Sequence, residues 1–316
     1  MQRLIRRRDP ERGAVAVIVA LIMVPLLGFA AISIDVAAMH AERQQLQTGA
    51  DAAALAIAQD CAREACGQPG QTAQLLAVPN SNDGEPVATV AALDTDVGRV
   101  TVQNEGTSEH WFAPALGLAD SALISVRSSA GWGYPSGGRS MLPLALSYCE
   151  WWNQTGGGTP SGTTARTIYL AGASSTPACP GPSGTVPGGF GWLKTDTGTC
   201  NATTAILQVL LTDTGVSASN GCTPEHFVAL QNTTLLLPIF DQSTGTGSSA
   251  TYRVYGYAAF HLTGYSLGGS YKWNPPCSGE DRCIRGYFTN FVELTGAFDY
   301  SMTAPKLGAA IVELTG

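Results

Sequence analysis

A chain of 316 residues, 44% of them hydrophobic, has the length and apolar content for one or two domains with their own cores, which argues against disorder over its whole length. Only 13% of the residues are charged, while 37 Gly and 18 Pro among abundant Ser and Thr point to strands, turns and long loops rather than a helical bundle. The formal net charge of −7 is unevenly divided: residues 1–12 carry five arginines against Asp9 and Glu11, net +3, which leaves net −10 on the remainder. A body this acidic repels phosphate backbones and gives nucleic-acid binding no support.

The basic segment 1–12 runs into GAVAVIVALIMVPLLGFAAISI, Gly13 to Ile34, which contains no charge. At about 1.5 Å per residue a helix of this length crosses the ~30 Å hydrocarbon core of a bilayer. Pro25 sits mid-span and is expected to kink the helix, which membranes tolerate. Arginines before the run and acidic residues after it give one orientation, with the N-terminus in the cytoplasm and the C-terminal region outside. A cleaved signal peptide is the alternative, with Gly28, Ala30 and Ala31 as small residues at the cut, but its apolar core is ordinarily only about 7–15 residues long. The retained anchor is the preferred reading.

From Asp35 to about Asp60 there is no proline and one glycine, Gly49, among helix-forming Ala, Gln, Leu, Glu and Arg, so the membrane helix is expected to continue as a stalk over residues 35–60. Met39, Leu46, Ala50, Ala53 and Ile57 fall along one narrow seam, interrupted at Arg43. The seam either docks on the chain's own folded region, which is preferred, or meets another helix. Asp35 reads as a charge marking the membrane border; a proton-relay role would need further ionisable groups inside the run, and there are none.

The combination Glu11-Arg12-Gly13, an apolar run, Ile34-Asp35-Val36, then Arg43-Gln44-Gln45-Leu46-Gln47 and Ala50-Asp51-Ala52-Ala53-Ala54-Leu55-Ala56 resembles the N-terminal module of TadE/TadG-like Flp pilus-assembly proteins. The motif residues are Glu11, Arg12, Gly13, Asp35, Gln44, Leu46, Ala50, Asp51, Ala53 and Leu55. The resemblance implies a single-pass protein of the bacterial cytoplasmic membrane with its bulk outside, working with other Tad pilus-assembly proteins or pseudopilins; no cofactor is expected. Prepilin-like relatives are cut after a glycine and keep a glutamate at the fifth mature position. If Gly13 were that glycine, the fifth residue is Ile18, so a TadG-like anchored accessory protein fits better than a major pilin.

Beyond the stalk the sequence predicts an α+β arrangement. Val97–Gln103 and Ser121–Gly133 alternate as strands around a short helix or turn at His110–Leu118, a strand-helix-strand unit within residues 67–134 onto which the stalk would pack. Pro135–Arg139 (PSGGR) reads as a boundary. Residues 141–316 then read as a mixed or antiparallel β-rich domain, with strands expected at Thr164–Ala171, Ala205–Asp213, Thr234–Phe240, Tyr252–Tyr265 and Tyr287–Phe298 and a short helix at Glu225–Gln231. All eight cysteines lie C-terminal to the apolar run, as an oxidising compartment would leave them. Proximity pairs Cys61 with Cys66 and Cys277 with Cys283, leaving Cys149, Cys179, Cys200 and Cys222 for two further bridges among 105 formal connectivities. No cysteine and histidine stand at zinc-ligand spacing, so no metal is expected.

Gly264-Tyr265-Ser266-Leu267-Gly268 matches the G-x-S-x-G elbow of serine hydrolases. The following GSYKWNPPC has no helical period, however, and the last histidine, His261, precedes Ser266. The expected function is therefore a non-enzymatic, membrane-anchored accessory protein of pilus assembly. Two alternatives are a surface adhesin using exposed aromatics such as Trp151, Trp152, Trp192 and Trp273, and a secreted serine hydrolase.

Overall fold

The protein is described from a computed structural model covering residues 11–82, 85–172, 176–212, 217–245, 247–293 and 296–316. The basic segment expected over 1–12 therefore lies outside the described residues up to position 10. In chain order the elements are α1 (Glu11–Ala62), α2 (Pro69–Ala77), β1 (Val87–Asp94), β2 (Arg99–Glu109), β3 (Ser121–Ser140), β4 (Leu144–Ser147), α3 (Tyr148–Thr155), β5 (Arg166–Tyr169), β6 (Cys179–Gly181), β7 (Gly184–Val186), β8 (Phe190–Trp192), β9 (Ala202–Ala205) and β10 (Val209–Leu211). They continue as α4 (Pro224–Val228), β11 (Thr234–Thr244), β12 (Thr251–Ser266), β13 (Lys272–Trp273), β14 (Cys283–Thr289), β15 (Phe291–Glu293), β16 (Phe298–Ser301) and β17 (Ala309–Leu314).

Anchor and stalk form one helix of 52 residues, α1, which passes through Pro25 without a break. Its apolar stretch is long enough to cross a membrane, and none of its most apolar part is buried. A core helix of a soluble protein would hide such a stretch. The helix stops at Ala62, beyond which Glu64 takes the left-handed region (φ 61°) and Cys66 turns back to bridge Cys61.

The chain divides into two compact units, each with its own packing. The first comprises residues up to Ala54, Gln68–Ala91 and Thr101–Ser128. Here β1, β2 and β3 are hydrogen-bonded neighbours in that order, joined from β2 to β3 by a 3₁₀ turn at Ala113–Leu116. Its small core holds Leu46 and Ala50 of α1 against Ile124 and Val126 of β3. The expected strand-helix-strand unit is thus a three-stranded arrangement with a 3₁₀ turn, and it gains a strand, β1, that the sequence did not suggest. VATVAALD opens with β-branched Val87, Thr89 and Val90 but continues as Ala-Ala-Leu-Asp, and only Ala88 and Val90 are buried or half-buried, so its alternation is confined to the first half.

The second unit comprises Leu55–Gly67, Ala92–Val100 and Ser129–Gly316. Its half of β3 pairs antiparallel with β17 (Ala130 opposite Leu314 to Gly133 opposite Ile311), with β16 and with β9. Pro135–Arg139, read from composition as a boundary, therefore lies inside a strand. Pro135 is accommodated beside a register shift between Asp299 and Tyr300, and Gly137 to Ser140 carry the ladder to β9. A second sheet has the order β5-β14-β12-β11-β4-β8, all antiparallel except β11 with β4. Phe190, Trp192, Leu237, Phe260, Ile284 and Phe288 belong to its core. Of the strand expected over Ala205–Asp213, Ala205 ends β9 and Val209–Leu211 forms β10, with Asp213 outside the described residues, and the strand expected over Tyr287–Phe298 is broken into the end of β14, β15 and the first residue of β16, around the undescribed 294–295.

Four disulfides join Cys61 to Cys66, Cys149 to Cys179, Cys200 to Cys222 and Cys277 to Cys283. Within the second unit, Glu64 in the loop closed by the first bridge pairs with Lys306. Asp241, buried at 1% exposure, pairs with Arg253, which also donates to Ser183. The architecture is α+β: one long apolar helix followed by mixed β-rich sheets.

Candidate functional site

The motif residues lie on α1, and the first unit shows what the helix does there. Asp35 follows directly on Ile34, the last residue of the apolar run, and is only 5% exposed. Its carboxylate accepts three consecutive backbone N–H groups: Trp111 N at 2.9 Å from Oδ1, Phe112 N at 3.1 Å and Ala113 N at 2.7 Å from Oδ2. These are the donors that the 3₁₀ turn at Ala113–Leu116 leaves unsatisfied at its entry, so Asp35 caps that turn from a distant helix. Burial pushes the Asp35 carboxyl up, but the N–H groups of Trp111, Ala113 and Phe112, with His110 nearby, outweigh it and hold the group below its usual value. Asp35 is thus more than the border charge expected from sequence: it is a buried tie between α1 and the β2–β3 connection.

Farther along the same face, polar side chains continue the attachment. Glu42, 6% exposed, accepts from Ser81 Oγ at 3.2 Å. Gln45 Oε1 takes the Asn82 N–H at 3.0 Å, and Gln47 Nε2 donates to Asp51 Oδ1 at 2.8 Å and to the Arg127 carbonyl at 3.1 Å. Fully buried Asn104 on β2 donates to the Leu46 carbonyl at 3.1 Å. The glutamine-rich composition of the stalk therefore serves hydrogen bonds to backbone on the chain's own α2–β1 and β3 segments.

Close approach makes this possible. A Cβ on Gly49 would stand 3.0 Å from Asn104 Nδ2 and 3.3 Å from the Ala77 Cα, and one on Gly106 of β2 would stand 3.1 Å from Leu46 Cδ1. Helix and strand meet with no room for side chains at these points. Leu46 (1% exposed), Ala50, Ala53 and Ile57 (each 0%) are buried, whereas Met39 is half-buried. For Leu46 and Ala50 the covering residues are Ile124 and Val126, so this part of the seam is occupied by the chain itself.

Of the other motif residues, Glu11, Arg12 and Gly13 form the first residues of α1, with side chains outside the described set. Gln44 is exposed, and Asp51 and Leu55 are half-buried. Glu42, Gly49 and Asn104 were missed, because a hydrophobic periodicity has no means of marking polar or side-chain-free positions on a buried face.

The serine motif does not assemble into an elbow. Ser266 ends β12 at 4% exposure, opposite Lys272 and Cys283, and leads into a turn rather than a helix. His261 bonds through Nδ1 to Thr234 and through Nε2 to Asn232. Among the aromatics of the adhesin alternative, Trp151 and Trp192 are core residues at 3% and 0% exposure, and Trp273 is half-buried; only Trp152 is exposed. Among the described residues no group of three or more His, Cys, Asp and Glu is placed to hold a metal ion.

Fold and site together define a protein with, among the described residues, one helix long and apolar enough to cross a membrane, whose continuation is bound by the chain's own α+β region. Residues 13–60 match the family model described as putative Flp pilus-assembly TadE/G-like, and they coincide with the apolar stretch and the clamped stalk of α1. No curated protein and no solved structure matches the chain.

Proposed function

We propose that the protein is a non-enzymatic accessory component of Flp (tight-adherence) pilus assembly, held in the bacterial cytoplasmic membrane by residues 13–34, with its N-terminus inside and its disulfide-bearing region outside. The observation that carries this reading is the coincidence of the TadE/G-like match with a helix whose most apolar window is unburied and whose continuation from Asp35 packs on the chain itself. Because Leu46 and Ala50 are covered by Ile124 and Val126, contacts with other Tad proteins or pseudopilins fall to the membrane-embedded stretch and to the outward stalk face at His40, Arg43 and Gln44. The domain assignment proposed is an anchor over 13–34, a stalk over 35–60, a small unit within 67–134 packed on the stalk, and a β-rich region over 141–316.

The test is genetic and biochemical. In the source bacterium, deletion should abolish or reduce surface pili while the other Tad proteins are still made. Complementation should succeed with the full chain and fail when residues 1–34 are replaced by a cleavable signal sequence. Normal piliation without the gene product, or full rescue by the released form, would refute the proposal.

A further inference from the structure

The segment that Asp35 holds, His110 to Leu118, is unusually apolar for an exposed connection. Trp111 is 79% exposed, Phe112 39% and Leu118 59%. Scattered apolar residues on a surface need no explanation, but Trp111 and Phe112 are held by their backbone at Asp35, and Leu118 closes the same turn through its N–H to the Ala113 carbonyl. The N–H groups of Trp111 and Phe112 are bonded to the residue that immediately follows the apolar run. Ile34, Asp35, Ala38 and Trp111 line one open cleft, so Trp111 and the run's last residue border the same surface depression.

The run from Gly13 to Ile34 measures about 33 Å as a helix and fills the ~30 Å hydrocarbon core. Its outer end is then at the boundary between hydrocarbon and headgroups, and the headgroup layer beyond it is about 5–8 Å deep on each side. Groups within hydrogen-bond distance of Asp35 lie in that layer. Tryptophan is favoured there, because its ring prefers the interface while its N–H keeps a polar partner. The end of the apolar run is itself exposed, with Ile32 at 42% and Ile34 at 52%, and Ile34 borders the same cleft as Trp111.

We infer that the Trp111–Leu118 connection is a membrane-interface anchor, in which Trp111, Phe112 and Leu118 insert into the phospholipid headgroup layer and Asp35 sets their depth. The occupant of this surface is the lipid of the membrane that α1 crosses, so the inference rests on the anchoring reading above. The loop adds a second point of attachment beside the helix and restricts rotation of the first unit about the helix axis.

The test uses the full-length chain in phosphatidylcholine vesicles containing lipid brominated either near the glycerol end or near the methyl end of the acyl chain. The fluorescence difference between the wild type and Trp111→Phe isolates the Trp111 signal from the other tryptophans. That signal should be quenched, and more strongly by the shallow label than by the deep one. Phe29→Trp in the Trp111→Phe chain, at an exposed position within the run, should be quenched more strongly by the deep label. Quenching at position 29 with none at Trp111 overturns the interface anchor and leaves the membrane helix standing. Absence of quenching at both overturns the two together.

Discussion

The Asp35 carboxylate takes N–H groups from residues 76 to 78 positions away, and its ionised form is the one those donors favour. A group held below its usual pKa contributes stability that is complete above the unfolded carboxylate value of about 4 and is lost as the pH falls through the lower folded value. Asp35→Asn keeps the shape but places an amide N–H₂ among N–H donors. The variant should melt at a lower temperature than the wild type at neutral pH, and amide exchange at Trp111–Ala113 should accelerate. The gap in melting temperature should narrow as the solution is acidified, whereas a gap that widens would contradict the assigned role. None of this was legible in the sequence, which shows Asp35 as the first charge after an apolar run but carries no local sign of partners so distant.

At the scale of the element, α1 was the most readable part of the chain. Its length, its apolar stretch and the burial of Leu46, Ala50, Ala53 and Ile57 follow from composition and period alone. Two motif residues two positions apart then separate packing from exposure. Leu46→Ala should cost about 2–5 kcal/mol of stability, as expected for a truncated core leucine, while Gln44→Ala should stay within about 0.5 kcal/mol; chemical denaturation in detergent measures both. Gly49→Leu must displace Asn104 and the Ala77 backbone and should destabilise by about 1–3 kcal/mol or more, in spite of leucine's better helix propensity. β1 and the middle of β3 were illegible for opposite reasons. β1 has strand-forming Val87, Thr89 and Val90 only in its first half, before Ala-Ala-Leu-Asp, and Pro135–Arg139 contains the residues that announce a loop, yet long-range pairing overrides both local signals.

Over the whole molecule, the eight cysteines are paired, in bridges whose sequence separations are 5, 30, 22 and 6. The two short separations are visible from spacing, whereas the two longer ones depend on how α3 and the β9 region fold. Chain isolated from membranes and denatured without reductant should take up no maleimide, and eight equivalents after reduction. A full complement of reactive thiols before reduction would place the region on the reducing side of the membrane and contradict the proposed orientation. Replacing Cys149 and Cys179 together by alanine should lower stability by about 2–4 kcal/mol in a denaturant titration. The junction at Ile34 and Asp35 also has a mechanical side. One turn of helix is 5.4 Å. Drawing α1 outward by that much would take side chains such as Ile32 and Ile34 into water, at about 1.5–3 kcal/mol for each one fully transferred. Pushing it inward would carry a bonded carboxylate and its loop towards hydrocarbon. Seated in a bilayer, the helix therefore behaves as a shouldered pin with one rest position, and a force along its axis meets resistance within the first turn of travel in either direction.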